Sequence, residues 1–299
     1  MNHANVNFAG RYKLTATKPD GTQRVLSDWF NNLVLLNGLN RIGTGGIMSM
    51  AHVGSGSSAP AFGESLLSNL IGTSENVPGA DITGTNLGEG YAYCRRTFRF
   101  PAGTATGNIS EVGVGWASNQ LFSRALVKDG AGDPTTVTVL ADEVLDLVYE
   151  LRVYWPTTDN TTTVTLGGVG YSVTVRASDV DQWATGTSMF AYLLANGVTN
   201  GLQDVLGYNG SLGTITEGPG GDFVGRPAVK TFDGSYSNNS QERNMKLVAG
   251  LGDITESVSA FNVICPLGVF KMGFTPPIPK TGSNILTINF RLSWAQKEI

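Results

Sequence analysis

Two segments of the chain alternate strictly between apolar and polar residues. In 145–155, Leu145, Leu147, Tyr149, Leu151, Val153 and Trp155 share one face, while Asp146, Glu150 and Arg152 lie on the other. In 285–294, Leu286, Ile288, Phe290, Leu292 and Trp294 are separated by Thr287, Asn289, Arg291 and Ser293. A period of two is that of a strand with one buried face, and these two strands are candidates for neighbours in one sheet. Shorter runs predict strands at 6–17, 91–100, 108–116, 120–127 and 135–140. Turn residues separate them: Asp20-Gly21, Ala117-Ser118-Asn119, and Gly132-Asp133-Pro134.

Between the two long strands the texture changes. Residues 161–177 read as a hairpin around a glycine-rich turn. Ser178 is placed to cap a helix starting near Asp179 and stopping at Asn196-Gly197, and 202–208 reads as a second short helical piece. Further strands are expected at 229–236, 244–249 and 257–274, followed by a rigid Pro276-Pro277-Ile278-Pro279 linker. Upstream, 62–71 predicts a short helix, with Glu64 in its first turn and Gly72 as its stop. The fold expected is mainly β: an antiparallel β-sandwich or barrel-like core with one or two short helices and an inserted second β-rich region. The division expected is an N-terminal arm or hairpin over 1–50, a core domain over 51–156 plus 281–299, and an inserted domain over 157–280 with a short helix near 179–196.

Composition narrows the function. Glycine accounts for 39 of 299 residues and charged residues for only 15%, against about 7% and about 25% in ordinary soluble domains. Uncharged polar surface joined by glycine turns suits a β-rich protein with many protein neighbours. A net charge of −4 argues against nucleic acid as a partner. The densest basic cluster, Arg95, Arg96 and Arg99, divides between the two faces of its strand. No run of about 18 apolar residues predicts a membrane span, and no signal peptide is visible. Cys94 and Cys265 read as reduced, buried thiols of a protein made in a cytoplasm.

Catalytic signatures are thin. Gly54-Ser55-Gly56-Ser57-Ser58-Ala59 fits the G-x-G-x-x-A phosphate-binding spacing, with Glu75 at the distance of a ribose partner, but Pro60 interrupts the helix that should follow. A flexible turn is the better reading. His3 and His52 are the only histidines, and His52 reads as a structural side chain. Asp179 and Asp181 have the spacing of two calcium ligands without the rest of the loop. Asp142 and Glu143 are adjacent and point apart on a strand; Glu111, Asp222 and Asp233 are the distant acids that a fold would have to bring together for glycan cleavage. No catalytic residue, metal site or cofactor is expected.

The stretches HVGSGSSAPAFGESLLSNLIG, GNISEVGVGW and LFSRALVKDGAGDPTTVTVLADEVLDLVYELRVYW co-occur in order, with NNLVLLNGLNRIGTGG before them and ILTINFRLSWAQKE at the end. In this they resemble tailed-bacteriophage virion structural proteins of the tail, tail-fibre and baseplate type. The resemblance spans the first 155 residues and the last 20 and leaves 157–280 unaccounted for. It implies a virion part at the tail, fibre, neck or baseplate, assembled in the host cytoplasm. It also implies a homo-oligomer, trimer or hexamer, bound to other virion proteins. Trp29, Phe30, Leu33, Leu35 and Leu36 are the interface candidates, an apolar segment that either folds back on its own domain or docks on a neighbour. Three alternatives stay open: a receptor-binding module whose region 157–280 exposes aromatic residues to a host-surface glycan, a glycan-cleaving enzyme with converging acids, and a capsid decoration protein.

Overall fold

The structure is a computed structural model that describes residues 2–118, 120–184, 189–199 and 203–299. Its centre is the strand Asn2–Thr17, which is paired on both sides. Residues 7–17 run antiparallel to Val144–Tyr154, with Tyr12 opposite Tyr149 and Leu14 opposite Leu147. Residues 2–8 run parallel to Leu286–Gln296, with Val6 opposite Trp294. The two long alternating strands therefore share a sheet but do not touch; the N-terminal strand lies between them. The expected hairpin is present, because Gln23–Asn31 turns back on the same strand through Gly21 (φ +85°). It is part of the main sheet and not a free arm.

The eight-stranded sheet continues on one side through Tyr91–Phe100 to the edge strand Ile82–Asn86, and on the other through Glu242–Ala249 to Val229–Phe232. Its inner face is covered by two more sheets. One holds five strands: Leu33–Val34, Gln120–Leu126, Glu111–Ala117, Met50–Gly54 and Leu70–Ser74. Phe8 meets Phe122 across this junction (6.3 Å, edge to face), and Tyr12 and Ser123 share a 2.6 Å hydroxyl hydrogen bond. The other holds six: Asn160–Leu166, Val169–Ala177, Gly268–Ile278, Val258–Cys265, Asp204–Tyr208 and Phe223–Gly225. There Trp183 sits between Trp155 and Phe270 (5.5 Å to each), and Phe270 reaches Phe290 (6.4 Å). Gly107–Ile109 and Val137–Val139 form a small separate ribbon. One continuous buried cluster runs through all three large sheets, so the mainly β, sandwich-like class holds.

Several local expectations change. Residues 62–71 are not helical: a turn leads into the strand Leu70–Ser74. The backbone groups are claimed from outside, since Ser68 N–H and Asn69 N–H donate to Glu111, while the Phe62 and Ser65 carbonyls accept from Leu36 and Leu121. Tertiary hydrogen bonds outcompete helix propensity here. Asp204–Tyr208 is a strand and not a helix, because Val205 and Gly207 turn inward at a spacing of two; residue 202 lies outside the described residues.

Ser178 does not cap a helix. Its N–H bonds Val269, its hydroxyl bonds Asp179, and Asp179 takes a left-handed φ of 47° before a single 3₁₀ turn, Val180–Gln182. Residues 185–188 lie outside the described residues. The helix beyond is Met189–Asn196, and it stops where expected, at Gly197 (φ +58°). The other described α-helix, Leu36–Ile42, was not anticipated. Pro276, Pro277 and Ile278 end a strand that is irregular at Val258–Ile278, so they are not a linker. Region 157–280 does not stay together as a sheet either: Val229–Phe232 and Glu242–Ala249 pair into the main sheet. No described helix is long and apolar enough to cross a membrane.

Phe8 is buried where the main sheet meets the five-stranded one. Phe8→Ala is expected to cost about 3–5 kcal/mol, read as a lower urea midpoint with an unchanged denaturant slope.

Candidate functional site

The G-x-G-x-x-A segment has an occupant of its own. Met50–Gly54 runs antiparallel to Glu111–Ala117 and places Gly54 opposite Glu111. The Glu111 carboxylate is fully buried and accepts Gly56 N–H (2.9 Å), Ser68 N–H (3.0 Å) and Asn69 N–H (2.7 Å). It also pairs with the buried Arg124 through Nε (3.0 Å) and Nη2 (2.7 Å). A Cβ on Gly54 or Gly56 would overlap this carboxylate, so the glycines admit an internal anion where the motif suggested a phosphate. Arg124 also bonds Glu64 and the Ser58 carbonyl. The whole 54–69 loop is thus tied to one ion pair. Burial alone would raise the carboxyl pKa of Glu111; the backbone donors and Arg124 outweigh it and hold the value below 4.5.

A second network stands on the outer face of the main sheet. Arg11 and Arg95 flank Glu150 from the two neighbouring strands, each directly opposite it, and Arg152 follows two residues along. Glu150 accepts Arg11 Nε (2.8 Å) and Nη2 (3.1 Å), Arg152 Nε (2.7 Å) and Arg95 Nε. Its carboxylate is inaccessible although it lies on the open side of the sheet. Burial again works to raise the pKa, and the three guanidinium groups bring it below the ordinary value. Aromatic rings back the guanidinium groups: Trp29 lies 4.4 Å from Arg11 and 5.5 Å from Arg95, Tyr93 4.8 Å from Arg95, and Tyr91 4.5 Å from Arg152.

The remaining candidates do not converge. Asp142 is exposed, whereas Glu143 is buried against Arg24 (2.6 Å), which holds its pKa down to about 2. Glu111 is sealed in its network, and Asp222 and Asp233 are exposed. Among the described residues no group of three or more His, Cys, Asp or Glu side chains could hold a metal ion. Asp179 and Asp181 sit around the 3₁₀ turn and gather no further ligands.

His52 is buried and donates from Nε2 to the Ala117 carbonyl (3.0 Å); burial pushes its pKa down. Ser293 donates to Asn5 Oδ1 (3.0 Å), so His3 Nε2 must donate to Ser293 Oγ at 2.6 Å. That is the reverse of the proton flow that a serine nucleophile requires. His3 borders a polar cleft of about 420 Å³ lined also by Asn7, Tyr154, Thr157, Asp159 and Lys297. Burial raises the Cys94 and Cys265 thiols to about 12, which keeps both unreactive.

Of the five apolar interface candidates, Phe30 and Leu35 are buried within the chain. Leu33 packs beside Leu35, Leu67 and Leu121, and Leu36 and Trp29 are half-buried. Within the single chain the segment lies against its own domain, with Trp29 turned onto the arginine-rich face. Sequence reading missed the Glu150 network, since Arg11 and Glu150 lie 139 residues apart. The polar face of 145–155 was the only signal for it. Comparisons with family models, with curated proteins and with solved structures find no match for this chain.

Two outcomes test these networks. Glu111→Gln leaves Arg124 buried and undercompensated, and is expected to cost about 3 kcal/mol, measured by equilibrium unfolding. Glu143 carries a lowered folded pKa, so its pairing contributes fully above the ordinary value of 4.5 and is lost as pH falls toward about 2. Glu143→Gln should therefore lose less melting temperature than the parent between those pH values, followed by circular dichroism.

Proposed function

We propose that this chain is a structural component of a tailed-phage virion, joining tail, neck, fibre or baseplate parts through protein interfaces as a homo-oligomer. The observation that carries the reading, beside the sequence resemblance, is where the ionisable groups go. Glu111, Glu143, Glu150, Arg124, Lys271 and Lys280 are all buried and bonded inside the chain. Lys271 Nζ holds the Thr214 and Glu217 carbonyls, and Lys280 Nζ holds those of Ile254 and Thr281 (2.7 Å each). These charges fasten loops to sheets. Glycan hydrolysis needs an acid with a raised pKa facing a second carboxylate, and the buried carboxylates here are shifted the other way.

The sheet edges favour assembly. Asn160–Leu166 ends the six-stranded sheet with the sequence NTTTVTL, uncharged and exposed at alternate positions. Natural edge strands are usually guarded by lysine, proline or a bulge; an unguarded one suits strand addition by a neighbouring subunit. A receptor-binding role is the second reading, favoured by the exposed Phe223, which packs edge-on against Tyr208 at 6.2 Å.

Gold-labelled antibody on purified particles of the encoding phage is expected to mark the tail, neck, fibre or baseplate. Label on the head surface would move the chain to decoration, and unlabelled intact and disrupted particles would overturn the virion reading. Light scattering on the purified chain should return a trimer or hexamer, and Thr163→Pro in the edge strand should shift it toward monomer.

A further inference from the structure

We propose that the arginine-rich face built on Glu150 is a docking surface for an acidic polypeptide segment. The inference rests on the reading that the chain assembles through protein interfaces, and it names one such interface and the chemistry of its partner. Three guanidinium groups converge on one carboxylate, so two positive charges remain in excess at one spot of a chain whose net charge is −4. The flanking charges cancel: Lys13 pairs with Asp28 (2.9 Å) and Arg99 with Asp146 (2.7 Å). The excess is therefore local, and it selects an anionic partner.

The arginines are held ready for one. Glu150 anchors each through Nε, and an aromatic ring lies within 5 Å of the guanidinium carbon of Arg11, Arg95 and Arg152. The Arg95 side chain is one-third exposed, and its terminal amino groups make no hydrogen bond to described residues. A carboxylate arriving from outside meets two donors already oriented, which lowers the ordering cost of binding. Trp, Tyr and Arg are also the residues that dominate binding energy at protein interfaces.

A polypeptide is favoured over an acidic sugar for two reasons. Arg11, Glu150 and Arg95 stand in line on three neighbouring strands, a row that an extended chain can follow. The rings that would stack on a sugar, Trp29, Tyr93 and Tyr91, each already carry a guanidinium group.

The test uses fluorescently labelled hexaglutamate as the probe and oligogalacturonate as its rival, on the full chain at low and moderate salt. Hexaglutamate is expected to bind saturably, more weakly as salt rises. Arg95→Gln should weaken it on the order of tenfold, while Arg226→Gln, just after the edge strand Phe223–Gly225 of the six-stranded sheet, should leave it unchanged. Arg95→Gln keeps Arg11 and Arg152 on Glu150, and an unchanged melting temperature will show that it folds. Absence of saturable peptide binding, equal binding by Arg95→Gln, or tighter binding of oligogalacturonate would each overturn the proposal. Particle labelling decides the virion reading separately, so the two failures remain distinct.

Discussion

Everything in this fold depends on the two-sided pairing of the strand Asn2–Thr17. One flank takes Val144–Tyr154 and the other takes Leu286–Gln296 along residues 2–8 and Gln23–Asn31 along residues 11–17. Its inward side chains Val6, Phe8, Tyr12 and Leu14 are all buried. They form the middle of the layer onto which the five-stranded sheet packs. Without this strand the main sheet falls into two halves with no hydrogen-bonded connection, each left with an unpaired interior edge, and Gln23–Asn31 loses its pairing.

Charge is used in the same integrating way. The Glu111–Arg124 pair closes the 54–69 loop over the five-stranded sheet, and Lys271 closes the 214–217 segment over the six-stranded one. Buried ions contribute less to net stability than apolar contacts of the same volume. They do impose a single arrangement, because each misplaced partner leaves a desolvated charge. Loops rich in glycine and serine have little apolar surface with which to define a position, and here the ion pairs define it.

The strands of this fold are legible in the sequence wherever one face meets the core and the other meets water. That is why 145–155 and 285–294 are unambiguous, and why Arg95 and Arg99 are rightly placed opposite Arg96, which turns to Asp81 at 2.6 Å. Strand order is not legible, since pairing Val6 with Trp294 leaves no local trace. The 62–71 segment misleads because its helical periodicity is genuine, yet its N–H groups are captured by a carboxylate over 40 residues away. The arginine-rich face is half visible: the polar side of 145–155 announces an outer surface, but the meeting of Arg11, Glu150 and Arg95 is a property of register alone.

The parallel pairing of residues 2–8 with 290–296 also dictates when the protein can finish folding. Asn2 and Phe290 are partners, so the earlier strand waits for one made roughly 290 residues later. At translation rates of about 5–20 residues per second that wait is on the order of 15–60 s. During it, one flank of an apolar strand stands open to any other nascent chain. High contact order slows folding and lengthens exposure to aggregation. A protein with this topology closes its main sheet only once residues 286–296 have emerged, and its yield in a crowded cell depends on how well that open edge is shielded in the meantime.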